Sequence, residues 1–198
     1  GLTGSIGMGK TTTARLFAGE GVPVLDSDEV VHGLYRAEAA PLIEAAFPGT
    51  TVSGAVDRQK LGEILRQNPA NFSRLEEIVH PLVRGRQEAF LAQARKEDRQ
   101  FALLDIPLLF ETGAESRVDK VVVVSCAPEI QRERVLSRPG MTEEKFEMIL
   151  ARQMPDVEKR RRADFIVDSG NGVEAARDQV KEILQKLAAE SRRGDMNA

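Results

Sequence analysis

GLTGSIGMGKTTTA opens the chain, and its Gly4, Gly9, Lys10 and Thr11 fit the spacing G-x-x-x-x-G-K-[ST]. Glycines at those positions let the backbone curl until successive N–H groups converge on a β-phosphate. A helix starting near Lys10 adds its positive end to the same point. Lys10 is then placed to reach the β- and γ-oxygens, and the Thr11 hydroxyl to ligate Mg²⁺. The chemistry is that of a nucleoside triphosphate held with Mg²⁺, and the pattern does not name the acceptor.

Carboxylates come next. DSD (Asp26, Ser27, Asp28) ends an apolar stretch, and ligands of open α/β sheets bind at strand ends. A carboxylate at Asp28 can orient an acceptor hydroxyl toward the γ-phosphate, while Asp26 suits a cap or structural partner. Otherwise both cap the helix that follows. Asp105 ends FALLD, the place of a Walker B-type carboxylate holding Mg²⁺ directly or through water, or else a strand end facing solvent. IPLLFE (106–111) continues as an apolar wall through Leu108, capped by Glu111, and either lines an acceptor groove or belongs to the core.

Seven arginines follow the fourth apolar stretch: Arg132, Arg134, Arg138, Arg152, Arg160, Arg161 and Arg162. Guanidinium groups grip phosphates bidentately, so a mobile lid carrying two or three of them over the nucleotide is expected, with the rest solvated. His80 stands in IVHPLVR. It is either a packed or capping residue or, with Arg84 one turn along the same face, a contact to a phosphate or ribose. Pro81 suits the first turn of a helix there. Cys126 reads as a small buried hydrophobe at a strand end.

The elements that must position these groups read as alternating strands and helices. VPVLD (22–26), FALLD (101–105), KVVVVS (120–125) and DFIVD (164–168) are continuous rather than alternating in apolar residues, as in strands covered on both faces of a parallel sheet. Lys10 to Ala18 reads as a helix stopped by Gly19 and Gly21. Only Gly1 to Thr3 precede Gly4, so the strand expected before the loop is expected to begin upstream of Gly1. Residues 28–98 carry no convincing strand and read as an inserted helical lobe. Residues 144–163 form another helical, Arg-rich stretch. GVEAARDQVKEILQKLAAE closes the domain with Val180, Ile183, Leu184 and Leu187 on one face, and SRRGDMNA is expected to fray. No internal repeat is present. The class is α/β with a parallel sheet.

Composition narrows the partners. The chain has 198 residues, 41% hydrophobic and 30% charged, within the range of one soluble domain. Trp is absent and Tyr occurs once, so the core must be aliphatic and Phe-filled. A net charge of −3 argues against a nucleic-acid partner. One cysteine excludes an internal disulfide, and two histidines beside it leave too few ligands for a Cys/His zinc site. No apolar run approaches the about 18 residues that span a membrane, and no signal-peptide pattern opens the chain, so a cytoplasmic protein is expected.

Seven segments, taken in order, resemble dephospho-coenzyme A kinases: TGSIGMGKTT, VPVLDSDEVVH, VDRQKLGEIL, LEEIVHPLVR, LLDIPLLFE, a Q-x-x-R-V-x-x-R run, and RRADFIVDSGN. The match covers residues 2 to about 172. The phosphate loop is shared widely; the combination of D-x-D, HPxxR and DxPLLFE is specific. The resemblance implies a three-layer P-loop fold with a five-stranded parallel sheet: core 1–27, 99–130 and 163–190, a helical substrate-binding lobe 28–98, and a lid 131–162. It implies ATP phosphorylating the ribose 3′-hydroxyl of dephospho-coenzyme A, with Mg²⁺. Catalytic roles would fall on Lys10, Asp28, Arg134 and Arg138. The nucleotide would contact Ser5, Ile6, Gly7, Met8, Gly9, Lys10, Thr11 and Thr12, with Arg138 and Asn171. The acceptor would meet Asp28, Arg58, His80, Arg84, Leu108 and Glu111, and the metal Thr11 and Asp105. Ser5 and Met8 stand where the family commonly carries Gly and Ser, both at variable positions of the loop.

Rival readings are a kinase for shikimate or a nucleoside monophosphate, a nucleotide switch and a nucleic-acid-dependent ATPase. The lobe is long for a small acceptor, no N-K-x-D string reads a guanine base, and the charge is negative. A monomer or small homo-oligomer acting on small molecules, without nucleic acid or membrane, is the expectation.

Overall fold

The computed structural model describes residues 1–195. Strand β1 (Leu2–Thr3) leads through the phosphate loop into α1 (Lys10–Gly19), and β2 (Val24–Asp26) is followed by α2 (Ser27–Leu34) and α3 (Ala39–Ala46). A hairpin of β3 (Thr51–Val52) and β4 (Ala55–Val56) precedes α4 (Arg58–Gln67) and α5 (Ala70–Lys96). Then come β5 (Leu103–Asp105), a 3₁₀ turn, β6 (Val122–Ser125), α6 (Pro128–Leu136), α7 (Glu143–Leu150), α8 (Asp156–Arg162), β7 (Phe165–Asp168) and α9 (Val173–Asp195). Two compact units result: residues 1–24 with the chain from Asp98 onward, and residues 25–97.

The first unit is built on the sheet, in the order β2-β5-β1-β6-β7. The pairs β1–β5, β1–β6 and β6–β7 are parallel, and Leu2 stands opposite both Asp105 and Val122. Apolar runs on both faces explain the burial: every residue of β5 and β6 is buried. Helix α1 starts from Gly9 in a left-handed conformation, φ 89°, and turns Thr13, Ala14, Leu16 and Phe17 inward. These spacings of one, three and four residues form a single helical stripe. Val180 and Ile183 of α9 join Phe17, Leu2, Val122, Val124 and Val167 in one aliphatic core. The closing helix continues to Asp195, so the expected fraying does not begin at Ser191, and Met196 to Ala198 lie outside the described residues.

The 144–163 stretch is two helices rather than one. Thr142 caps α7 through Lys145 N–H at 3.3 Å, and Pro155 separates α7 from α8. Residues 131–162 fall inside the first unit, and Lys159 of α8 is fully buried.

In the second unit the Asp26 carboxylate accepts from Asp28 N–H (2.8 Å) and Glu29 N–H (3.2 Å), capping α2. Asp57 caps α4 the same way through Gln59 and Lys60. Such caps satisfy helix-end donors that have no intrahelical acceptor. Leu34, Ile43, Phe47, Leu61, Leu65 and Val79 make this unit's own core.

Two expectations for this region are corrected. It is not all helical: β3 and β4 form an antiparallel hairpin. Each strand has two residues, too short for a pattern, yet Ser53 (φ 52°) and Gly54 (φ 79°) give a two-residue turn with both φ positive. Glu44 holds the hairpin's entry, its carboxylate accepting from Gly49 N–H (2.7 Å) and from Thr51 N–H and Oγ1 (2.8 Å each). Pro81, expected to start a helix, instead lies inside the 27-residue α5. The missing N–H removes one rung of that helix. Val79, Ile78, Leu82 and Val83 pack into the unit's core on either side of it, and this burial carries the helix through.

Phe17 is 2% exposed at the centre of the first unit's core. Replacing it with Ala is expected to lower the unfolding free energy by about 3–5 kcal/mol, the usual cost of such a cavity, measured by urea denaturation.

Candidate active site

The phosphate loop owes its shape to steric necessity. Gly7 and Gly9 have φ of 79° and 89°. A Cβ on Gly7 would meet Val135 Cγ2 at 2.5 Å, and one on Gly4 would meet the Val124 carbonyl oxygen at 2.7 Å. The loop is pinned from several sides: Met8 N–H donates to Ser5 O (3.1 Å), Thr13 Oγ1 to Gly9 O (3.2 Å) and Ser169 Oγ to Met8 O (2.7 Å). Met8, one of the two departures from the family pattern, is buried, and its sulfur accepts the Cys126 N–H at 3.2 Å. That arrangement ties the loop to the end of β6. Cys126 is buried as expected, and burial pushes its thiol pKa up.

Lys10 forms an ion pair with Asp105 at the end of β5. The Asp105 side chain is 2% exposed and Lys10 15%, so two charges meet in a nearly closed environment where pairing is strong. Thr11 and Thr12 are exposed at the start of α1.

A cavity of about 260 Å³ adjoins the loop, lined by Gly7, Gly9, Thr12, Arg134, Arg138 and Ser169 among others. Arg134 donates from Nη1 to Ser169 Oγ (2.9 Å) and from Nη2 to Ser169 O (2.8 Å), so neutral oxygens hold its guanidinium. The other arginines are placed differently. Arg132 pairs with Glu143, while Arg161 and Arg162 both pair with Glu158. Arg152 and Arg160 are exposed. Asn171 donates to Asp168 Oδ2 at 3.1 Å, in the turn between the cavity residues Ser169 and Gly172.

Glu111 turns toward α8. Its Oε1 accepts from Met154 N–H at 2.8 Å and lies 2.9 Å from Lys159 Nζ, forming an ion pair. Oε2 is buried without a hydrogen-bond partner. Burial works against the charged form of Glu111, but Lys159 and the Met154 N–H outweigh it and hold the carboxyl below its ordinary range. An acceptor contact was expected here, and the observed partners are Lys159 and Met154. Leu108 of the same segment is exposed.

In the second unit Asp28 lines a cavity of about 480 Å³ with Tyr35, Arg58, Leu61, Leu65 and Leu75. Arg58, the first residue of α4, sets its guanidinium 5.5 Å from the Tyr35 ring centroid. Burial raises the Tyr35 pKa, and the Arg58 charge partly opposes this. One carboxyl group, one guanidinium and an aliphatic wall suit a ligand with both polar and apolar parts. His80 and Arg84 lie four residues apart on α5, both exposed, and neither lines this cavity.

The CoaE dephospho-CoA kinase family model matches residues 1–175. The chain belongs to the dephospho-CoA kinase family. It is 89% identical over 189 residues to a dephospho-CoA kinase of Agrobacterium fabrum, covering 96% of this chain and 97% of that one. A dephospho-CoA kinase of Mesorhizobium japonicum is 63% identical, at coverages of 94% and 95%. Among solved structures, a dephospho-CoA kinase from Campylobacter jejuni superposes with a TM-score of 0.72 at 27% identity, covering 96% of each chain. A Thermus thermophilus crystal structure gives 0.80 at 33% identity, covering 94% of this chain and 95% of that one. Membership of the dephospho-CoA kinase family makes the chain a phosphotransferase of coenzyme A biosynthesis, and shikimate or nucleoside monophosphate as acceptor is not favoured.

Sequence reasoning gave no role to four residues that touch the loop or Glu111: Gln131 and Gln153, whose side chains meet Ile6, Ser169, which bonds Met8 O, and Lys159, which pairs with Glu111. Gln131 stands first in the Q-x-x-R-V-x-x-R run and Ser169 inside RRADFIVDSGN, so both lay in quoted strings without a role. Lys159 carried no signal, because a lysine among exposed charged residues reads as solvated.

Glu111→Gln would leave the Lys159 ammonium buried without its anion. An expected loss of about 3 kcal/mol at pH 7 lies at the low end for a broken buried pair, since Glu111 keeps 15% of its side chain exposed. The folded-state pKa of Glu111 is below its unfolded value of about 4.5, so the stabilisation is present above that value and lost as pH falls through the folded one. Urea titrations of both proteins should therefore differ fully at pH 7, with the gap closing at more acidic pH.

Proposed function

We propose that the chain transfers the γ-phosphoryl group of ATP to the ribose 3′-hydroxyl of dephospho-CoA, giving coenzyme A and ADP. One observation carries this reading beyond the family: the Gly4–Thr11 loop contributes Lys10, which pairs with the buried Asp105, the equipment for triphosphate charge. Lys10 neutralises the β- and γ-oxygens, and Arg134 and Arg138 supply cationic contacts from the cavity wall. Backbone groups from Ser5 to Thr12 receive the phosphates, and the Asn171 turn lies beside the base. In the second unit Asp28 orients the attacking hydroxyl and Arg58 takes anionic charge of the acceptor, with His80 and Arg84 as further contacts from α5. Leu108 is an apolar contact to the acceptor, and Glu111, held by Lys159 and the Met154 N–H, is a further acceptor contact.

The residues present suit Mg²⁺ arriving with ATP. Asp105 and the Thr11 hydroxyl would hold it, and the ion supplies charge neutralisation between the phosphates. Among the described residues no cluster of three or more His, Cys, Asp or Glu could hold a metal. A magnesium ion shared with phosphate oxygens and waters needs no such cage.

Action in the cytoplasm fits the lone thiol of Cys126, which has no disulfide partner. The net charge of −3 supports small-molecule substrates without nucleic acid, the protein acting as a monomer or small homo-oligomer. No helix among the described residues is long and apolar enough to cross a membrane.

The test is ADP release from Mg·ATP with dephospho-CoA, shikimate, AMP, CMP or no acceptor. Stimulation by dephospho-CoA alone is expected; equal stimulation by another acceptor contradicts the reading. Asp28→Asn should lower turnover by about 10²–10⁴-fold, the usual contribution of a carboxylate on a reacting hydroxyl, with ADP affinity unchanged in calorimetry. Near-normal turnover would remove Asp28 from the mechanism.

A further inference from the structure

The N–H groups of a phosphate loop bind anions only if their peptide planes face the right way. In this loop the plane most at risk is the one between Ile6 and Gly7. Gly7 adopts φ 79°, and a glycine carries no Cβ to resist rotation into other conformations. A flip of that peptide would turn the Ile6 carbonyl oxygen to where the Gly7 N–H now points, presenting a lone pair to an anion.

Two glutamines act on Ile6. Gln131 of α6 donates from Nε2 to Ile6 O at 2.7 Å, and Gln153, between α7 and α8, accepts Ile6 N–H on Oε1 at 3.1 Å. A carbonyl only accepts and an N–H only donates, so the orientation of each amide is dictated by its partner. In a trans peptide the C=O and the following N–H are antiparallel. Tying Ile6 O to Gln131 therefore sends the Gly7 N–H away from α6. Gln131 is 6% exposed, too enclosed to serve as a solvated helix residue. Its own backbone also closes on the loop, because a Cβ on Gly7 would lie 3.0 Å from Gln131 O.

We propose that Gln131 is a positioning residue for phosphate binding: its side-chain amide locks the Ile6–Gly7 peptide so that the Gly7 N–H is presented to the nucleotide phosphates, with Gln153 bracing the preceding peptide. This rests on the phosphate-loop reading. It goes beyond it by giving the first residue of the Q-x-x-R-V-x-x-R run a task separate from the arginines.

The test compares ADP and adenosine by calorimetry on the full chain. Wild type should bind ADP far more tightly than adenosine; equal affinities would overturn the phosphate-loop reading itself. Given that preference, Gln131→Met keeps the volume and removes the donor. It should weaken ADP about tenfold, the order carried by one oriented hydrogen bond, and leave adenosine unchanged. Gln131→Asn keeps an amide one methylene too short to reach Ile6 and should behave like the Met variant, with unfolding midpoints confirming the fold of each. In amide exchange, Gly7 N–H of wild type should gain protection with ADP, and this gain should be lost in the variants. ADP affinity within twofold of wild type in either folded variant, or equal losses for ADP and adenosine, would overturn the proposal.

Discussion

The ion pair between Lys10 and Asp105 is the constraint around which the first unit is arranged. Its carboxylate is almost wholly buried, and a buried charge without a counter-ion is prohibitively costly. The pair forms only if the start of α1 and the end of β5 arrive at one place. The sheet delivers this: β1 and β5 are adjacent and parallel, Leu2 stands opposite Asp105, and Ile106 N–H donates to Leu2 O at 2.9 Å. A slip of one residue in that register would turn Asp105 to the opposite face. The continuous apolar runs of β5 and β6 are thus as much a part of the site as the glycines.

The pair also bears on substrate binding. Under the role proposed for Lys10, a triphosphate at the loop would compete with Asp105 for that ammonium. An ATP that brings a divalent ion would keep the charges around the pair balanced, in line with the chemistry proposed above. Around this centre Gln131, Gln153 and Ser169 fix the loop's backbone from α6, the α7–α8 linker and the end of β7. These bonds join α6, the α7–α8 linker and the end of β7 to the loop within a single unit.

Much of this was legible in the sequence because it follows from short-range rules. Glycine spacing announced the loop, β-branched runs announced β6, and a carboxylate after FALL announced Asp105. Asp26 was readable as a cap because a side-chain oxygen before a helix has a standard use. What escaped depends on tertiary partners. Pro81 reads locally as a helix start, yet α5 runs through it because its apolar neighbours are buried on both sides. The Ser53–Gly54 turn was a hairpin signal masked by strands of two residues. Lys159 and Glu111 found each other across 48 residues that no spacing rule connects, and Gln131 and Ile6 across 125.

Asp105→Asn tests the central claim most directly, through turnover against Mg²⁺ concentration and ATP affinity without the metal. The substitution keeps the side chain's shape and frees Lys10 from its ion pair. The account predicts metal-free ATP binding equal to or tighter than wild type, with turnover lower and a higher Mg²⁺ concentration needed for half-maximal rate. Unchanged turnover with an unchanged Mg²⁺ requirement would contradict it, and would leave the Lys10–Asp105 pair a feature of folding alone.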